Sequence, residues 1–180
     1  MTWLTDIFSL VCGQIHCWAP GGVQMPVCER CLGLYLGAVW SLVLVLAVRA
    51  HPTRALLWLH GLAMLAMIPF GYHLVPHGPA MRTVTGFVFG LGMVYYLTLA
   101  PGETLRLERL AKSRAAIPYV VVALAPLPLV LVSVQYGPLL AGSLLAVLAV
   151  AGLAVTALLA LANGVSLCRT LVATARKAPA

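Results

Sequence analysis

Five apolar runs, each close to the length that crosses a bilayer, leave this chain little choice of fold. They cover about residues 31–48, 55–74, 81–100, 117–135 and 139–162, and roughly 20 apolar residues make a transmembrane helix. Composition agrees, with 62% of the 180 residues hydrophobic and 8% charged, and a mean hydropathy of +1.02. No water-soluble domain has that balance. The expectation is an all-α, polytopic integral membrane bundle, one membrane domain over residues 1–180 with about five transmembrane helices. The lipid bilayer is its first partner.

Turn-forming segments separate the runs: Arg49–Arg54, Val75–Pro79 and Tyr136–Pro138. Pro69 should kink the second run, and Pro126 and Pro128 the fourth. Residues 2–18 are apolar but interrupted by Asp6, Gln14 and His16, and are too short for a span. They read as an interfacial helix with Trp3 and Trp18 at headgroup level. Met1–Val11 lacks a basic n-region and contains Asp6, so a cleavable signal peptide is not expected. Residues 101–115 read as a polar surface helix, and residues 163–180 as a basic tail.

Charge orients the bundle. With five spans, one side receives Arg49, Arg54, Arg106, Arg109, Lys112, Arg114, Arg169, Arg176 and Lys177, and the other only Arg30 and Arg82. The richer side is cytoplasmic by the positive-inside rule. The chain is then a multi-pass cell-membrane protein with its C-terminus in the cytoplasm. The net charge of +7 reads as topology and anionic headgroups, not as nucleic-acid binding. Cys12, His16, Cys17, Cys28, Cys31, His73, His77 and Arg82 all fall on the extracytoplasmic side. His51 and His60 lie toward the other face and read as structural.

The chemistry centres on Pro26-Val27-Cys28-Glu29-Arg30-Cys31-Leu32-Gly33-Leu34-Tyr35-Leu36-Gly37. Two cysteines three apart open a helix, one turn from each other, and can reach one ion. Cys12 could add a third thiolate, and His73 or His16 an imidazole, completing a Cys3His set of the kind zinc takes. A redox reading competes. Thiols outside the cytoplasm tend to be oxidised, a helix N-terminus and Arg30 favour a thiolate at Cys28, and Cys12 and Cys17 could form a second pair. In layout only, that resembles the quinone-linked enzymes that generate disulfides. In a third reading the cysteines staple a loop or are inert.

A second cluster runs from His73 to His77 and on to Arg82-Thr83-Val84-Thr85-Gly86-Phe87-Val88-Phe89-Gly90. An arginine at the start of a span is functional where it faces the bundle and merely snorkels where it does not. Gly33-x-x-x-Gly37 and Gly86-x-x-x-Gly90 are both patterns that let membrane helices approach closely. Their pairing would bring Arg82 and Thr85 beside Cys28 and Cys31. Tyr35, one turn past Cys31, would face the same site or serve as a belt aromatic.

These residues carry a resemblance. Cys12-x-Gln14, the stretch from Pro26 to Gly37, and Arg82-x-x-Thr85-Gly86-x-x-x-Gly90 resemble an uncharacterised family of prokaryotic membrane proteins, DUF2085, over about Leu10 to Gly92. The resemblance implies a small helical membrane domain with a cysteine-rich head, and supplies no activity. The family pattern has a histidine directly after the first cysteine, where this chain has Gly13. It also has an aspartate a few residues past a proline in the second span, where this chain has Pro69 and then His73. His73 is expected to take over from the missing histidine, with His16 as its rival.

Three functions follow as expectations. The first is a zinc site of Cys12, Cys28, Cys31 and His73 or His16, with Arg82, Thr85 and Tyr35 lining a cavity for a lipid-borne headgroup or a quinone. Whether that cavity turns anything over is open. The second is a quinone-linked thiol–disulfide oxidoreductase using Cys28 and Cys31. The third is a non-catalytic accessory subunit with a membrane-protein partner, or a homo-oligomer.

Overall fold

A computed structural model describes residues 6, 8–9, 12, 19, 25–48, 54–72, 74–99, 116–136 and 139–175. Every regular element among them is helical: α1 Glu29–Val48, α2 Arg54–Leu65, α3 Met67–Gly71, α4 Pro79–Leu97, α5 Ala116–Leu124, α6 Leu127–Tyr136 and α7 Leu139–Ala175. The expected surface helix at 101–115 and most of the expected interfacial helix lie outside the described residues.

Proline sets the breaks. Pro69 has no N–H for the carbonyl of Leu65, four residues back, and α2 ends at Leu65. Pro126 and Pro128 do the same to Val122 and Leu124, and α5 ends at Leu124. Two of the five expected spans are therefore broken helices, α2–α3 and α5–α6. Four segments are long and apolar enough to cross a membrane: Glu29–Ala47, Pro79–Leu97, Pro118–Tyr136 and Ser143–Thr174. The remaining one, Ala55–Gly71, is shorter.

Glycine sets the packing. A Cβ on Gly33 would overlap the carbonyl oxygen of Thr83, and one on Gly37 that of Phe87. Reciprocally, Gly86 lies on the carbonyl of Arg30 and Gly90 on that of Leu34. The two glycine patterns interlock as the sequence suggests, backbone against backbone. Because 33 meets 83 and 37 meets 87, α1 and α4 run parallel. The chain between them must return, so α2–α3 crosses back despite its break. Gly92 lies against Met64 and the His60 carbonyl, seating α2 on α4, and Gly152 lies against the Tyr35 carbonyl, seating α7 on α1.

Large apolar side chains face outward: Trp58 is 71% exposed, Leu129 70% and Leu158 67%. Exposed hydrophobics on this scale fit a hydrocarbon surrounding, not water. Helix α7 continues to Ala175, past the expected boundary near 162, because no Pro interrupts it and Gly164 stands alone.

Candidate metal centre

Helix α1 begins with a thiol as its cap. The Cys28 carbonyl accepts the Leu32 N–H at 2.9 Å, and its Sγ accepts the Cys31 N–H at 3.5 Å. Cys28 thus holds the N-cap position and Cys31 the third residue of the first turn. That geometry points the cap side chain back over the residue three later, which is why this spacing makes the two sulfurs converge.

Cys12 completes the group. Its thiol donates to Cys28 Sγ at 3.3 Å, and the Sγ atoms of Cys12, Cys28 and Cys31 all lie within 4.8 Å of one another. Cys28 is buried, and Cys12 and Cys31 are half-buried. Three converging sulfurs of this kind could hold a metal ion. Without one, crowding opposes ionisation. The Cys28 thiol, just ahead of the span, is pushed above its ordinary value, first by the hydrogen-bonded Cys12 thiol and also by burial, with Cys31 acting the other way.

Two arginines surround this end of the bundle. The Arg30 Nη2 donates to the Phe70 carbonyl at 2.8 Å and lies 3.0 Å from His77 Nε2. His77 Nδ1 faces the Val75 carbonyl at 2.7 Å, so the ring is held from both sides. Arg82 sits in the first turns of α4, with Nη1 3.9 Å from Glu29 Oε2. The Nε atoms of Arg30 and Arg82 are buried without a hydrogen-bond partner. Parallel α1 and α4 also bring two helix N-termini, each a partial positive charge, to the same end.

The structure brings some expected residues together and not others. Cys12, Cys28 and Cys31 converge, and Arg82 reaches Glu29, the residue next to Cys28. Tyr35 is 3% exposed, with its ring 5.7 Å from Phe8. The Thr85 hydroxyl turns to its own helix, donating to the carbonyls of Met81 at 2.8 Å and Arg82 at 3.1 Å. None of the described cavities is lined by Arg82, Thr85 or Tyr35. His16 and His73 lie outside the described residues.

A second polar cluster was not foreseen. His60 is 4% exposed, its Nδ1 faces the Leu56 carbonyl at 2.8 Å, and its Nε2 lies 3.1 Å from the Tyr119 hydroxyl. With Nδ1 protonated toward that carbonyl, Nε2 accepts from Tyr119. The ring stacks on Tyr95 at 4.1 Å. His60, expected to be structural, thus joins a buried polar cluster. The only sequence signal was a histidine inside an apolar run, which needs a polar partner wherever it is buried.

Against known families, residues 12–96 match DUF2085, described as a predicted membrane protein. The chain resembles that family from Cys12 to Tyr96, the region that contains the three cysteines and α1–α4. No curated protein and no solved structure matches the chain.

Proposed function

We propose that this membrane protein holds one divalent metal ion, zinc, through Cys12, Cys28 and Cys31, with His73 or His16 as the fourth ligand. The observation that carries this reading is the convergence of three sulfurs, from a helix cap, its first turn and a separate N-terminal segment, within 4.8 Å. Thiolates at about 2.3 Å from a tetrahedral ion stand about 3.8 Å apart, which these sulfurs meet with small shifts.

Charge supports a divalent ion. Three thiolates and a dication sum to minus one, and Arg30, Arg82 and Glu29 add plus one, so the loaded cluster and its charged neighbours are neutral. Neutrality matters at a membrane interface, where an uncompensated charge is costly. The ion ties the N-terminal segment to α1, and Arg82, whose one described ion-pair contact is the 3.9 Å approach to Glu29, receives the headgroup of a lipid-borne ligand. The excess of Lys and Arg on the other loops supports an extracytoplasmic location for this end.

The test is to purify the protein without reductant, measure bound metal and titrate thiols. About one zinc per chain with unoxidised outer cysteines is expected. No metal, with disulfides that exchange electrons with added quinone, would replace this reading with a thiol–disulfide oxidoreductase. If His16→Ala and His73→Ala together leave metal content unchanged, the fourth-ligand assignment fails.

A further inference from the structure

A cavity of about 410 Å³ lies where α1, α4, α6 and α7 meet, and Pro126 shapes it. The carbonyl of Val122, which Pro126 cannot bond, is taken by the Trp40 indole N–H at 3.2 Å and by the Ala125 N–H at 3.3 Å. The helix break is thereby pinned to α1, and Trp40 and Pro126 both line the space beside it. The remaining wall is apolar, including Leu36, Leu129 and Leu144, with Ser133 as its hydroxyl. Leu129 is 70% exposed and Leu144 59%, so the cavity opens sideways, where the surrounding medium is hydrocarbon.

Register places its ends. Tyr119 meets His60 beside Tyr95, near the C-terminal end of α4, whereas Val122 meets Trp40 and Pro126 shares a wall with Leu36. Helices α5–α6 therefore run toward the cysteine end. From the Trp40–Val122 contact, Glu29 on α1 and Ser133 on α6 lie equally far along the chain, about 16 Å at 1.5 Å per residue. The crevice thus rises from a floor at Trp40 to a rim level with Glu29.

We propose that this cavity binds an acyl chain of an anionic phospholipid whose phosphate lies at the cysteine end, against Arg82. The proposal rests on the reading of that end as a lipid-headgroup site and names its ligand class. Depth, lateral opening and apolar lining select a hydrocarbon chain. The headgroup sign follows from the rim. Arg30 is held by the Phe70 carbonyl and His77, whereas Arg82 has only a 3.9 Å contact to Glu29 and a buried Nε lacking a partner.

The test uses the full chain in phosphatidylcholine vesicles doped with a phosphatidylglycerol that carries a diazirine in its acyl chain. After photolysis, adducts mapped by mass spectrometry should concentrate on residues 126–148. A phosphatidylcholine with the same diazirine tail should label that region less, and Arg82→Gln should abolish the difference. Ser133→Phe fills the cavity, and Leu129→Trp obstructs its exposed lip should the first variant fold poorly. Either should lower adducts there to the level of the rest of the lipid-facing surface, with metal content unchanged. Even labelling around the bundle, or labelling that neither substitution lowers, overturns the proposal. A wild-type chain that carries no metal yet keeps the lipid preference overturns the metal reading alone.

Discussion

The two halves of this bundle are packed by different means. Helices α1 and α4 meet backbone to backbone, through four glycines on which a Cβ would strike a carbonyl. Helices α5–α7 meet their neighbours through side chains, a glycine contact of Gly152 on the Tyr35 carbonyl, one broken run and a 410 Å³ cavity. The first half places the cysteines and arginines, and the second leaves space. Close packing positions a site within fractions of an ångström, whereas a bilayer-facing crevice tolerates a chain of variable shape. The family match over residues 12–96 covers the tight half and stops before the loose one.

The largest expected effect breaks this contrast at its strongest point. Gly37→Leu drives a side chain into the Phe87 carbonyl, where neither backbone can yield. A loss of about 3 kcal/mol or more is expected, at the upper end for overpacking, read as a lower unfolding midpoint in detergent and lost metal. Retained stability would mean the two helices are not in backbone contact.

Smaller effects follow in the loose half. Tyr119→Phe leaves His60 Nε2 buried without a donor and should cost about 1–2 kcal/mol, without loss of metal. Trp40→Phe removes one donor from the Val122 carbonyl and should cost about 1 kcal/mol. It should also raise solvent or lipid access near Pro126, measurable by hydrogen exchange of Ala125. Gly164→Ala has the opposite sign. Nothing lies within 4 Å of a Cβ at that position, so the gain in helix propensity should stabilise α7 by roughly 0.5–1 kcal/mol. A neutral or destabilising result would show an unrecognised neighbour at the end of this helix.

Much of the tight half was legible in the sequence because its signals are local or periodic. Cys28 and Cys31 announce a helix start, and Gly33, Gly37, Gly86 and Gly90 announce a close pair and its register. The positions of the prolines gave both breaks. Three features were not legible. The partner of Trp40 is a carbonyl eighty-two residues away, fixed only by how α5 lies on α1. The His60 cluster joins three helices, and no spacing within one of them encodes it. Thr85 shares the helical face of Arg82 by periodicity, yet its hydroxyl is taken by its own backbone, as threonines in apolar surroundings commonly are.

The metal reading also carries a pH dependence of known sign. Metal binding requires thiolates, and the metal-free Cys28 thiol is raised above its ordinary value. Protons therefore compete with the ion, and affinity should rise with pH up to the titration of the thiols and fall as the solution is acidified. Affinity independent of pH would argue against thiolate ligands.

The central claim is tested most directly by metal analysis of the wild-type chain beside Cys12→Ser, each purified without chelator. Cys12 stands sixteen residues from Cys28, so only a shared ion gives it a place in the same coordination sphere. One zinc per wild-type chain, with sulfur-rich coordination by X-ray absorption and marked loss of metal in Cys12→Ser, is the predicted result. A Cys12→Ser protein that keeps its full metal content, or a wild-type protein without metal, would contradict it.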